Sequence, residues 1–450
     1  MTHRDDPGSG LPQAGPSDTT SVALILISPL AGAVAGFICT LFRMALETLD
    51  GWRIALIEAQ YGSGLQGFLL VVALAATGPA IAALIVNRFA RDAGGSGIPH
   101  VEAVLRGERE PSRIGLIPAK FIGGLLAIGS GLALGREGPS VQMGATVAHA
   151  IGRFFRLGWS DCRTLLAAGA GAGLATAFNA PMGGAIFVLE ELDGRFEVRV
   201  AIAALAASAS AIAVSNAING SSPDFLVDAI TAPQPAAILV YAILGGAAGL
   251  VAIAYNTTIL KALDISDGAT RLPMELRAAI IGAAVGAIAW FAPRIVGGGD
   301  SLTQGALFGH GGMLVLALLF VVRFFLGAAS YAAGTPGGLF APILVLGAQL
   351  GLLFGLAVDT LVPALGLDAR GFALVGMAAL FAGVVRAPLT GIALVIEMTR
   401  NSTMLLPVLA ACFTAMLVPT LFGNAPIYEA LGERSRRETE ARDAQKSDSG

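Results

Sequence analysis

Charged side chains are scarce in this chain: Asp, Glu, Lys and Arg make up 13% of 450 residues, about half the share found in soluble domains. The formal net charge is −3 with both signs mixed, so no basic surface is available for nucleic acid. Because 55% of the residues are hydrophobic, most of the chain must avoid water. We therefore predict an integral, multi-pass membrane protein that is surrounded by lipid.

Cysteine and histidine are also few. The three cysteines, Cys39, Cys162 and Cys412, lie far apart in or beside apolar runs, without the spacing of a metal site. The four histidines are scattered, and neither HExxH nor GxSxG occurs, so we predict neither a metal site nor an enzyme. A GxxxxGK phosphate loop followed by Ser or Thr is also missing. We expect no cofactor and no primary energy source other than ion gradients.

Apolar runs long enough to cross a membrane fill most of the sequence, since a spanning helix needs about 20 apolar residues. Several runs contain Gly or Pro, which predicts additional short helices that do not cross fully. The eleven candidate runs are 21–42, 65–87, 114–134, 164–190, 200–218, 236–260, 275–296, 312–333, 338–361, 371–398 and 403–423.

Two segments of the second half repeat two segments of the first. At an offset of 203 residues, GREGPSVQMGA (135–145) lies on GLFAPILVLGA (338–348), and both read Gly-x-x-x-Pro followed by Gly-Ala. At an offset of 207, APMGGAIFVLE (180–190) lies on APLTGIALVIE (387–397), and both end in glutamate. Matched blocks in the same order indicate an internal duplication of the kind found in transporters.

This repeat defines the predicted organisation. We predict one all-α membrane domain over residues 21–431, with structurally related repeats at about 21–220 and 236–431. Their broken helices would meet at an anion site near the membrane midplane, and the repeats are inverted if each crosses the membrane an odd number of times. A polar tail (1–20) precedes this domain, and a charged tail (432–450) follows it.

The GREGP motif at 135–139 places an arginine and a glutamate in glycine-rich backbone between apolar stretches. Pro139 suits the first turn of a helix, and a helix N-terminus with free amides attracts anions. The GLFAP motif at 338–342 would build the same device from the other repeat. Glu137 could then occupy this site when ionised and leave it when protonated. The alternative is a salt bridge between Glu137 and Arg136.

Further polar residues lie near apolar sequence. Ser96, between two glycines of GSGIP (95–99), could donate to an anion, although any Gly-Ser turn before a helix looks similar. Glu190 and Glu191 end one apolar run, and Glu397 ends its copy; residues at such places are often interfacial. Only one of the adjacent pair should face the interior. Tyr428 would ordinarily belong to an interfacial belt. Three cations could balance the acids: Lys120, Arg323 and Arg386.

Together these residues resemble the CLC family of chloride channels and proton/chloride antiporters. The resemblance covers about 30–431, and the motifs GSGIP, GREGP and GLFAP are specific in this order and spacing. FNAP…EE at 178–191, RAPLTGI at 386–392 and Pro-Ile-Tyr at 426–428 support it. The chain looks like the compact prokaryotic type without CBS domains.

The resemblance implies a role for each motif residue. The Ser96 and Tyr428 hydroxyls would hold a central chloride, and the amides of Gly95 and Ser96 would form an inner site. Glu137 would be the external gate and proton carrier, and Glu191 the internal proton-transfer residue. The amides of an outer chloride site would be those of Arg136, Glu137, Gly138, Leu339, Phe340 and Ala341.

The resemblance also implies the activity. It predicts exchange of chloride for protons by a homodimer with one pathway per subunit, and an Ala- and Gly-rich compact chain suits a bacterial inner membrane. A passive chloride channel on the same architecture is the alternative, and Glu191 favours exchange. Serine at position 96 matches chloride-selective members. His100 departs from the family, where an acid usually follows the proline of GSGIP.

Overall fold

The computed structural model describes residues 22–194, 196–230 and 232–448, and this part of the chain is helical and contains no strand. Six of its helical segments are long and apolar enough to cross a membrane, and four shorter apolar helices accompany them. These features confirm the all-α polytopic prediction. The predicted polar tail, residues 1–20, lies outside the described residues.

The helices follow the same order in both halves of the described chain. The first half contains α1 (Val22–Gln60), α2 (Gly64–Phe89), α3 (Ile98–Leu105), α4 (Leu116–Gly129), α5 (Glu137–Phe154), α6 (Trp159–Phe178), α7 (Pro181–Phe187) and α8 (Val198–Asn219). The second half contains α9 (Ile238–Gly268), α10 (Met274–Phe291), α11 (Asp300–Leu307), α12 (Met313–Tyr331), α13 (Phe340–Leu361), α14 (Ala369–Val385), α15 (Pro388–Thr399) and α16 (Leu405–Leu421), and α17 (Ile427–Asp448) follows.

The packing of the helices is also the same in the two halves. Helix α5 packs on α6 as α13 packs on α14, and α1 packs on α8 as α9 packs on α16. Helices α2 and α10, which occupy equivalent positions in the two halves, pack on each other. These pairings confirm two structurally related repeats that share one core.

Two predicted spans are wrong as single helices. The run 164–190 divides into α6 and α7, and 371–398 divides into α14 and α15. At each break one residue has positive φ, Asn179 (φ 48°) and Arg386 (φ 72°), and a proline two positions later begins the next helix. The residue before proline is pushed out of the helical region. The helix therefore ends there, although the sequence on both sides of the break is apolar.

Buried cations hold the loops that precede α3 and α11. Lys120, on α4, donates to the carbonyls of Ala93 (3.0 Å) and Gly95 (2.9 Å). Arg323, at the equivalent place on α12, binds the other loop. Its guanidinium donates to Ile295 O (2.8 Å), Gly297 O (2.8 Å) and Gly298 O (3.0 Å).

The hydrogen-bond partners of Lys120 and Arg323 are thus backbone carbonyls. Arg386 likewise donates to the carbonyls of Gly383 (3.1 Å) and Asn424 (2.6 Å). Loops in an apolar interior expose carbonyls that nothing else can satisfy, and a buried cation supplies several donors at once.

The charged C-terminal segment continues as helix α17, which begins beside the last loop and runs to Asp448. Arg434 forms ion pairs with Asp264 and Asp267 of α9, the second at 2.6 Å. This helix therefore docks against the membrane domain, and it carries Tyr428 in its first turn.

Candidate ion pathway at the junction of the repeats

The two glycine-rich motifs meet at the centre of the molecule. Gly135 N–H donates to Gly338 O (2.8 Å), and Gly338 N–H donates to Gly135 O (2.7 Å). This antiparallel bridge joins equivalent positions of the two repeats. Equivalent segments that run in opposite directions are what a two-fold axis in the membrane plane produces. The predicted convergence of the two helix ends is confirmed.

Both helices begin at this bridge with amides that the helical hydrogen bonds do not use. Their first turns start with hydrogen bonds from Ser140 N to Arg136 O (3.0 Å) and from Ile343 N to Leu339 O (3.0 Å). The prolines that precede these donors have no N–H. The amides before these bonds are those of the predicted outer site: Arg136, Glu137, Gly138, Leu339, Phe340 and Ala341. Two positive helix ends therefore face one point, which favours an anion.

The Glu137 carboxyl group lies at that point. The side chain is 1% exposed, and it interacts with its own backbone amide and that of Ala341. A methyl group added at Gly135 would collide with Glu137 Oε2, which shows how closely the carboxyl group lies against the backbone. Oε2 has no hydrogen-bond partner among the described residues. The protein's own carboxylate thus occupies the space that the amides offer to an anion.

The guanidinium of Arg136 pairs with other acids rather than with Glu137. Its Nε donates to Ala177 O (3.1 Å), and its guanidinium lies 3.5 Å from Glu47, 3.5 Å from Asp300 and 3.8 Å from Asp224. The alternative of an Arg136–Glu137 salt bridge is therefore wrong. These groups line a cavity of about 330 Å³ that reaches Glu137.

On the other side of the junction, Ser96 and Tyr428 are 1% and 0% exposed. Their hydroxyl groups are close enough to interact, yet within the described chain neither has a partner with normal hydrogen-bond geometry. A Cβ added at Gly138 would lie 2.5 Å from Ser96 Oγ, so Ser96 reaches the start of α5. Unsatisfied buried hydroxyls are uncommon and call for an explanation; an anion between them would provide one.

Tyr331 is a neighbour of Ser96 that the sequence did not reveal. It ends α12, and its hydroxyl oxygen accepts the Ser96 N–H at 3.5 Å. The hydroxyl also lies near Gly95, where an added Cβ would be 3.3 Å away. No motif surrounds Tyr331, and only its position at the end of an apolar run, near the glycines before GLFAP, could have drawn attention to it.

Glu191 lies on a distorted turn. Helix α7 continues as a π-helical segment, Val188–Leu192, whereas its copy α15 stays α-helical through Thr399. Such π turns often mark functional sites. The carboxyl group of Glu191 is partly buried, and its charged neighbours include Glu102, Arg106 and Glu429. Glu191 and Glu137 are both among the charged groups that influence Tyr428.

Glu190 and Glu397 have a different role from Glu191. Glu190 accepts hydrogen bonds from Leu389 N (2.9 Å) and Thr390 N (2.7 Å), at the start of α15. Glu397 accepts from Met182 N (3.0 Å) and Gly183 N (2.7 Å), at the start of α7. Each glutamate therefore caps a helix of the other repeat. Glu190 binds the start of α15, whereas the charged neighbours of Glu191 include Glu102 and Arg106, so the adjacent pair lies in two environments.

His100 lies at the inner end of this assembly, on α3. Its Nε2 is 2.8 Å from Ser112 Oγ, and its Nδ1 is 4.0 Å from Asp92. Burial lowers the pKa of His100 below 6.5, although Asp92 opposes this shift. The imidazole is therefore neutral at neutral pH and does not replace the charge of an acid.

Inverted repeats, paired helix ends with free amides and an isolated carboxylate define a membrane transporter of anions. Comparison with known proteins agrees with this class. The voltage gated chloride channel family matches residues 78–420, and the chain belongs to that family.

Several relatives are similar over nearly their whole length. The H(+)/Cl(-) exchange transporter ClcA of Vibrio parahaemolyticus is 36% identical over 430 residues, which are 94% of this chain and 92% of the relative. The protein of the same name from Vibrio cholerae is 38% identical over 425 residues, covering 93% and 91%. The crystal structure of a slow cyanobacterial Cl-/H+ antiporter superposes with a TM-score of 0.88 at 30% identity, covering 93% of this chain and 99% of that one.

Proposed function

We propose that this protein exchanges chloride for protons across a membrane, without catalysing a chemical reaction. The observation that carries this proposal is the Glu137 carboxylate among the amides at the junction of α5 and α13. An ionised carboxylate competes with chloride for those amides. A protonated carboxyl group has no charge and leaves the amides. Protonation of Glu137 would therefore admit chloride and take up the proton in the same step.

Protons would reach Glu137 from Glu191. Glu191 lies on the π turn, and its electrostatic influence on Tyr428 supports this role. Chloride would pass between the Ser96 and Tyr428 hydroxyls, whose lack of partners within the described chain supports an anion ligand there. The Ser96 amide would serve an inner site, whereas the Gly95 amide already donates to Thr335 O (3.1 Å). The amides around Arg136 and Phe340 would serve the outer site.

A liposome experiment tests the exchange. We expect a chloride gradient to drive protons uphill when valinomycin and potassium fix the voltage. Glu191→Gln should stop proton movement while chloride still passes. Glu190→Gln is the matched control, because Glu190 is the adjacent carboxylate and caps α15; it should keep proton transport. Glu137→Gln should leave chloride flux uncoupled from protons.

Two outcomes would contradict the proposal. Chloride efflux from wild-type liposomes without protons would identify a passive channel on the same fold. Proton transport retained in Glu191→Gln would remove that residue from the mechanism.

The proposal includes assembly and location. We propose a homodimer with one pathway per subunit. Chemical cross-linking of the reconstituted protein should give a dimer. We place the protein in a bacterial inner membrane, which fractionation of expressing cells would test.

A further inference from the structure

Tyr331 is a buried polar group that the proposed mechanism does not use. Its side chain is 7% exposed, and its oxygen lies 3.5 Å from Ser96 N, in line to accept the N–H. This amide is one of the two that would bind an inner anion. An N–H has one proton to donate, so the phenol oxygen and an anion cannot both occupy the space in front of it.

The other amide of the predicted inner site is engaged differently. Gly95 N–H donates to the carbonyl of Thr335 at 3.1 Å. That acceptor is part of the main chain and is fixed by the pairing of Gly95 with Pro336. A phenol oxygen, by contrast, moves when χ1 or χ2 rotates. Of the two amides, only that of Ser96 can be freed by a side-chain movement.

The frame around this contact is rigid. Gly337 N–H donates to Gly95 O (3.1 Å), and Lys120 binds the same carbonyl (2.9 Å). Gly95 has φ +59°, a conformation in which a side chain would be strained. The loop that carries Ser96 and the loop that follows Tyr331 are therefore held together. This pairing of the loops keeps the Tyr331 hydroxyl close to the Ser96 amide.

We propose that Tyr331 competes with an anion at the inner site. Its hydroxyl oxygen accepts the hydrogen bond of the Ser96 N–H, and a halide must displace this oxygen in order to bind. This inference rests on the proposed chloride transport. Hydrogen bonds to an anion are stronger than those to a neutral oxygen, so chloride displaces the phenol at sufficient concentration. The tyrosine thereby lowers chloride affinity and speeds the release of the ion.

Tyr331→Phe tests this directly, because it removes only the oxygen. We expect chloride to bind the purified protein about three- to tenfold more tightly by calorimetry, the range set by one neutral hydrogen bond. The chloride concentration that half-saturates exchange in liposomes should fall by the same factor. Tyr255→Phe is the matched control: Tyr255 is also buried, its hydroxyl has no partner in the described chain, and its ring packs on Phe324.

The outcomes separate this inference from the function on which it rests. Weaker chloride binding in Tyr331→Phe would make the phenol an anion ligand, and unchanged binding would mean that it does not compete; either result overturns the inference. If the wild-type protein exchanges chloride for protons in those cases, the proposed function stands. If the wild-type protein moves no protons, the proposed function fails whatever the variants bind.

Discussion

Replacing Lys120 with Met should destabilise the protein and weaken chloride binding together. Two charge-assisted hydrogen bonds, to Ala93 O and Gly95 O, contribute about 1.5–3 kcal/mol each. These values are net of the cost of desolvating the ammonium group, so the two bonds together predict a loss of about 3–6 kcal/mol. The apparent melting temperature in detergent should therefore fall by several degrees.

Arg323→Met is the matched variant because Arg323 holds the equivalent loop of the other repeat. Its stability loss should be similar. Chloride affinity should fall several-fold only in Lys120→Met, since Lys120 fixes the loop that carries Ser96. Lys120→Gln keeps two amide hydrogens for the carbonyls without the charge, and it should recover part of the affinity. Equal chloride affinities in the two Met variants would refute this division of roles.

Two further predictions concern the rest of the assembly. Glu190→Gln and Glu397→Gln each remove a charged cap between the repeats. Each should lower the free energy of unfolding by about 1–2 kcal/mol, and a loss in only one variant would argue against equivalent caps. Burial lowers the pKa of His100 below 6.5, so the unfolded chain binds more protons and stability falls as the pH drops below 6.5. In His100→Gln, the melting temperature should depend less on pH in that window. An unchanged dependence would mean that His100 does not cause it.

The sequence predicts the frame of this protein well. The repeat at offsets of 203 and 207 residues is confirmed by equivalent helices, and the GREGP and GLFAP motifs meet where their symmetry requires. Such features are local: Gly and Pro act on their own backbone. The motif residues Ser96 and Tyr428 lie with them, as the resemblance implies.

Features that depend on distant partners could not be predicted. Tyr331 meets an amide 235 residues earlier in the chain, and nothing near it in sequence marks that contact. Glu190 and Glu397 end apolar runs as interfacial residues do, but their acceptor role depends on a helix of the other repeat. Hydropathy also continues across the breaks at Asn179 and Arg386, because both sides of each break are buried.

The two repeats are alike in backbone and differ in the side chains that would carry transport. Glu137 and Phe340 both begin the helix at the central bridge, and only the first bears a charge. A second carboxylate there would repel both the first and any anion. Ser96 and Gly298 both precede the left-handed glycine that caps the next helix, and only one offers a hydroxyl. Inverted repeats with identical side chains would present the same gate to both faces of the membrane. Coupled exchange needs different groups at the two faces, so the positions where the repeats differ are those where mutation should alter coupling rather than folding.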